Sequence, residues 1–281
     1  WLFCYFNLLR CGFFAFPFTF LDRFPKILAI IERVRMHPVV SRYYDEKDAQ
    51  LYRFHRRQLR LPSIEIGYWS MRGLAAPLRM ICEYAAVRYE DKLYASPDDW
   101  SGPGKGKQRV FALNPLANLP YVILDGQTCV CQPHACLIFL GDRFCLNGST
   151  PQQTIECKQL LDEISDLQNE LMELVYGFKA TTEFESSASA QLSEVASGSY
   201  SKLENWLASK NTQFFISNQI SSPDFQIFEM LDQHEKLASD RGEPSPMHAF
   251  RRLAEFHERI CREPKLSAYF ASPAYALPCH N

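Results

Sequence analysis

The apolar rhythm of this chain changes once, near Gly148, and no other feature constrains the fold as strongly. From residue 63 up to that point, short runs alternate apolar and polar side chains with the two-residue period of a strand. Beyond it, apolar residues recur only at helical spacing. A chain ordered this way folds as a mixed strand-and-helix layer followed by an all-helical part.

Ile64, Ile66 and Tyr68 alternate as a first strand. Leu74, Leu78, Ile81, Cys82 and Ala85 share one helical face, and Pro77 is tolerated because it falls in the first turn. A second strand is expected over 87–94, and the Gly- and Pro-rich 98–110 reads as a flexible loop. The runs YVIL and QTCVC flank Asp125-Gly126, a hairpin signal, and 134–141 reads as helix. The order β-α-β, connection, β-β-α is a thioredoxin-like layout.

In the second half, Leu160, Leu161, Ile164, Leu167, Leu171, Leu174 and Val175 lie on one face of a long helix. Residues 186–201, rich in Ser and Ala, are a loop or weak helix, and Leu203, Trp206 and Leu207 continue a helix. Ser221-Ser222-Pro223-Asp224 opens another, with a capping serine, an acidic residue three positions on and a first-turn proline. Asp224 is thereby a structural cap.

Residues 24–44 recur in altered form at 250–270, with six identities in 21 positions, among them Phe24/Phe250, Pro38/Pro264 and Tyr43/Tyr269. Solenoid repeats run roughly 20–50 residues, so this spacing is instead that of a whole protein copy. Residues 1–44 therefore read as the C-terminal remnant of an upstream copy, and 45–62, polar and basic, as a linker or in part a solvated charged helix. The very apolar first 20 residues compete as a membrane segment. Asn7, Arg10 and Pro17 inside the run, with no small-residue cleavage site, argue against that.

A net charge of −2 argues against a nucleic-acid partner held by bulk electrostatics. Ten cysteines could suggest disulfides, but the chain is too long for a small stapled scaffold, and Cys82, Cys136, Cys157 and Cys261 sit in apolar helical settings suited to reduced, packed thiols. Cys129 and Cys131 have one residue between them, which is neither a CxxC redox motif nor a usual zinc knuckle. No His/Cys cluster has metal-ligand spacing.

The segment IEIGYWSMRGLAAPLRM, 64–80, resembles the start of a cytosolic glutathione S-transferase, nearest the mu class with some sigma-class character. Asn118-Leu119-Pro120-Tyr121 is similar to that family's cis-proline turn. Gln132-Pro133-His134-Ala135 stands at its Gln/Glu-Ser-x-Ala. FFISNQISSPDF, 214–225, resembles its buried capping box, and 250–270 its C-terminal helix. The resemblance runs in order over 63–270 and implies a thioredoxin-like glutathione-binding domain at 63–147 with an all-helical domain at 148–281.

The resemblance makes Tyr68 the residue that activates the glutathione thiol. A free thiol near pKa ~8.5 is mostly protonated at neutral pH, and a hydroxyl donating to the sulfur favours the thiolate. It further implies that Trp69 and Leu74 line the peptide site, beside Asn118. Leu119, if its bond to Pro120 is cis, pairs with the cysteinyl backbone. Trp100 with Lys105 or Lys107 would meet the glycyl carboxylate, and Gln132 the γ-glutamyl group. Here the family's serine is Pro133, which offers neither hydroxyl nor N–H to that carboxylate; each such lost bond costs on the order of 1.5–3 kcal/mol. Weakened glutathione binding is therefore expected. His134 either compensates as a cation or is a plain first-turn histidine. Asp166 and Tyr176 fall near a partner-facing acid and a second tyrosine of mu enzymes, or are ordinary helix residues.

The expected function is conjugation of glutathione, as co-substrate, to a small hydrophobic electrophile, with no metal. The implied setting is cytoplasmic, with no membrane or nucleic-acid partner, in a homodimer or a tandem intramolecular pair. The alternatives are a non-catalytic binding or scaffold protein of the same fold, and a sigma-like glutathione-dependent isomerase.

Overall fold

The computed structural model describes residues 63–173 and 198–279. The repeat at 24–44, the linker, Leu174, Val175, Tyr176 and 186–197 lie outside the described residues.

Four strands form one sheet in the order β2-β1-β3-β4: β1 (Ile64–Trp69), β2 (Tyr89–Tyr94), β3 (Tyr121–Leu124) and β4 (Thr128–Cys131). β1 and β2 are parallel, as their connection through α1 (Ala76–Tyr84) requires, and the other pairs are antiparallel. Asp125 and Gly126 both take positive φ, 55° and 68°, the geometry of the tight turn read from their sequence. α4 (Pro133–Phe144) follows β4 and packs on α1, β3 and β4. The mixed layer expected from the sequence is present.

The sheet's two faces follow from alternation. Ile64, Ile66 and Tyr68 point to one. Glu65, Gly67 and Trp69 point to the other, where Tyr121 lies across Gly67; a Cβ there would sit 2.1 Å from the tyrosine ring. The Tyr121 hydroxyl donates to Glu65 at 2.6 Å and accepts from Arg109 at 2.8 Å. Arg109 belongs to α3 (Gly106–Leu113), which covers this face near β4.

The segment read as a flexible loop is instead two helices, α2 (Pro97–Ser101) and α3. The glycines and Pro103 masked a start signal: Ser96 accepts the Asp99 N–H at 3.2 Å ahead of a first-turn proline. Buried Val110 then anchors α3.

Past Gly148 the described residues contain no strand. α5 (Pro151–Met172) buries Leu160, Leu161, Ile164, Leu167 and Leu171. A helix through 198–210, α6, buries Tyr200, Leu203 and Leu207. α7 (Ser222–Arg241) is the central element, with every residue from Ser222 to His234 buried. It packs on α5, α1 and α4, which joins the two parts. α8 (Arg251–Cys261) inserts Leu253, Phe256 and Ile260, each contributing about 1.5–3 kcal/mol by burial. Cys261, expected to be packed, is exposed, since it falls one residue off that stripe. A 3₁₀ turn and α9 (Ser267–Phe270) follow.

Candidate active site

The sheet's topology gathers several of the expected residues at one end. β1 and β2 both end there, β3 begins there and β4 ends there. Gly67 pairs with Tyr121 and Tyr121 with Cys131. Continuing that register sets Tyr68 opposite Pro120, and Pro120 opposite Gln132. In open sheets of this kind, ligands bind beyond the carboxyl ends of the parallel strands.

Tyr68 is buried at 6% exposure, its ring resting on the backbone of the following turn. Gly73 makes that approach possible. Its φ is +38°, and a Cβ would lie 2.8 Å from the Tyr68 ring and 2.9 Å from the hydroxyl oxygen. The hydroxyl is therefore held at the start of the short 3₁₀ turn, Gly73–Ala75, that leads into α1.

Opposite, Leu119–Pro120 is a cis peptide bond with Leu119 buried. Gln132 is exposed at φ 77°, between β4 and the first residue of α4, Pro133. That helix start lacks one N–H that another residue would supply.

The protein family model for the glutathione S-transferase C-terminal domain matches residues 165–273. The chain is 30% identical over 213 residues to glutathione S-transferase Mu 1 of Oryctolagus cuniculus, covering 75% of this chain and 91% of the relative. The chain belongs to the glutathione S-transferase family. It is also 29% identical to a class-mu 26 kDa isozyme of Fasciola hepatica, across 75% of this chain and 89% of that one. The solved pi-class transferase of Onchocerca volvulus superposes with a TM-score of 0.65 at 25% identity, covering 78% of this chain and 97% of that structure. The chain is thus an enzyme of the transferase family, related to mu- and pi-class members.

Other expected residues of the transferase site are distributed as follows. Trp69 and Leu74 are half-buried and Asn118 is exposed. Trp100 is buried, stacked on Tyr121 at 6.0 Å and edge-on to Tyr94 at 5.2 Å. Lys105 and Lys107 are exposed at the start of α3. His134 faces α5, its Nε2 2.8 Å from the Ser165 hydroxyl and its Nδ1 3.5 Å from Asp162. Burial lowers its pKa against the opposing pull of Asp162, which favours the neutral ring. Asp166 is exposed on α5. Tyr176 lies outside the described residues.

Two arginines hold the transferase's Tyr68 turn in place. Arg72, 3% exposed, donates to Glu229 at 2.7 and 3.1 Å and to Asp232 at 2.6 Å, tying the turn to α7. Burial disfavours its charge, but Glu229 and Asp232 raise its pKa overall. Asp232 also receives His257 at 3.1 Å; burial raises its carboxyl, and His257 and Arg72 pull it below the ordinary range. Arg79, fully buried in α1, pairs with Asp91 at 3.0 Å and donates to the carbonyl of Met71 at 2.9 Å. An arginine amid Leu78, Met80 and Ile81 on an apolar helix face is the one sequence signal that marks it.

Proposed function

We propose that this transferase conjugates glutathione to small hydrophobic electrophiles, with the Tyr68 hydroxyl donating to the glutathione sulfur. The observation that carries the reading is the placement of that hydroxyl against Gly73 at the carboxyl end of β1. By the sheet register, Leu119–Pro120 and Gln132 stand opposite. A donor fixed before the substrate arrives stabilises a thiolate without reorganising, and a thiolate is the nucleophile the reaction needs.

In this reading 63–147 binds glutathione and 148–281 supplies the electrophile pocket from its helices, across a cleft. Trp69, Leu74, Asn118, Leu119 and Gln132 line the peptide, with Lys105 or Lys107 and Trp100 at the glycyl end, Asp166 toward the glutathione of a partner subunit, and Tyr176 near the electrophile. Similarity to mu-named relatives supports a mu-like class. The echo of 24–44 at 250–270 supports 1–44 as the tail of another copy. Leu116 and Phe111, exposed at 72% and 57%, support self-association. A cytoplasmic setting suits a thiol co-substrate.

The test is a conjugation assay with a generic aryl halide, on wild type and Tyr68→Phe. The variant should lose about 10- to 100-fold in turnover at neutral pH, as a thiol pKa one to two units higher implies. Unchanged turnover removes Tyr68 from the mechanism. Pro133 favours a second reading, a binding protein of this fold, and an inactive wild type that still folds would select it.

A further inference from the structure

The turn that supports Tyr68 is finished by residues from the other end of the described chain. The N–H of Arg72 donates to the carbonyl of Pro278 at 2.8 Å, and that of Gly73 to the carbonyl of Cys279 at 3.2 Å. These two N–H groups stand at the entrance of a helical turn, where no intrahelical acceptor exists. The segment 275–279 satisfies both.

Side chains fasten the same segment. The Tyr275 ring lies over the Arg72 guanidinium, 4.4 Å from its centroid to the central carbon. Its hydroxyl donates to Asp232, at 3.1 Å to Oδ2 and 3.3 Å to Oδ1. Asp232 is the carboxylate that also takes Arg72 and His257. One acid on α7 thus collects donors from the turn, from α8 and from the tail. The tail grips the turn twice, through its backbone and through Tyr275.

The tightness of the Tyr68 contact makes this consequential. Gly73 approaches the hydroxyl so closely that a single added carbon would collide with it. A shift of the turn by a few tenths of an ångström therefore changes where the hydroxyl rests. Losses of tenfold or more from small misplacements are ordinary for groups that act in a fixed geometry.

We propose that residues 275–279 are a positioning element of the active site, with Tyr275 locking the 70–73 turn so that the Tyr68 hydroxyl stays aimed at the glutathione sulfur. The inference rests on the reading of Tyr68 given above. Tyr275 acts through Arg72 and Asp232 and has no direct part in the chemistry.

Four proteins that keep residues 273–281 and one shortened chain test it: wild type, Tyr68→Phe, Tyr275→Leu, Tyr275→Phe, and a chain lacking 273–281. Two readouts are used. The first is the pH titration of bound glutathione by its thiolate absorbance, together with kcat and KM. The second, independent of glutathione, is hydrogen exchange of the Arg72 and Gly73 amides.

Tyr275→Leu should raise the bound thiol's pKa by about one unit, lower kcat about tenfold at neutral pH and leave KM for glutathione within about twofold. The shortened chain should show the same direction and at least tenfold faster exchange at both amides. Tyr275→Phe, which keeps the ring over Arg72, should retain most of the wild-type thiol pKa. An unchanged thiol pKa in Tyr275→Leu, or unchanged exchange in the shortened chain, overturns the proposal. If Tyr68→Phe shifts the thiol pKa and the tail variants do not, only the tail's role fails. If Tyr68→Phe shifts nothing, the reading of Tyr68 fails first, and the exchange data still judge the grip on the turn.

Discussion

Ser221 and Asp224 close on each other at the start of α7. Asp224 Oδ2 accepts the Ser221 N–H at 2.7 Å and its hydroxyl at 2.6 Å, while Oδ1 reaches the N–H of Phe215 at 2.9 Å. The carboxylate is wholly buried and serves three donors. Asp224→Ala leaves two buried N–H groups without acceptors and should cost about 2–6 kcal/mol, at about 1–3 for each group. Asp224→Asn, which keeps one oxygen, should cost less. Urea unfolding of both variants checks the order, and an alanine variant as stable as wild type contradicts the capping role.

Gly67 is required by the ring of Tyr121 rather than by its own backbone. Gly67→Ala should destabilise by about 1–3 kcal/mol, the usual penalty for forcing atoms into a packed site. Adding Tyr121→Leu should return part of the loss. A double variant no better than the single one would place the strain elsewhere.

Arg79 joins Asp91 to the carbonyl of Met71 inside the protein. Arg79→Met leaves the half-buried Asp91 and the Met71 carbonyl without their donor, and should cost about 1–3 kcal/mol. Arg79→Lys should rescue little, because a single ammonium cannot span both acceptors in the fork geometry of a guanidinium. Denaturant midpoints of the two variants decide the matter.

His257 makes stability depend on alkaline pH. Burial pushes its pKa down, but the hydrogen bonds to Asp232 and Cys261 and the nearby charge lift it from 6.5 to about 9. Between those values the folded protein holds a proton that the unfolded chain has released. The contribution is therefore complete below about 6.5 and is lost as pH rises through 9, amounting to about 3 kcal/mol. Unfolding free energies at pH 6 and pH 9.5 should differ by that order, and His257→Gln should flatten the profile. A wild-type profile already flat across this range is the contrary result.

Pro133→Ser restores an N–H and a hydroxyl at the first residue of α4. Titration calorimetry should show glutathione binding tighter by tenfold or more, following about 1.5–3 kcal/mol for each recovered bond to a charged group. Equal affinities would show that the proline has no part in weakening the site.

Local chemistry made much of the fold legible. Asp125-Gly126 announced a turn that needs positive φ, and Ser221 with Asp224 announced a helix start. Each is decided by residues within a few positions of one another. The helices at 97–113 were missed for a local reason too, since Gly102, Pro103 and Gly104 form the short break between them and looked like a loop. Tyr68 was legible only through the company of Trp69, Arg72 and Gly73. What holds it was not, because Glu229, Asp232 and Tyr275 reach Arg72 only after the chain has folded back on itself, and no periodicity encodes that.

The bonds from Arg72 and Gly73 to Pro278 and Cys279 span about 200 residues of sequence. Domains form from the N-terminus while synthesis continues, but this turn cannot be completed in that order. The sheet can assemble around β1 early, yet its Tyr68 corner stays open until residue 279 has left the ribosome. Closing so long a loop carries its entropy cost before the contact returns anything, so the corner is among the last parts to form. A nascent chain halted before the tail would carry Tyr68 and the strands beside it without the clasp that sets them.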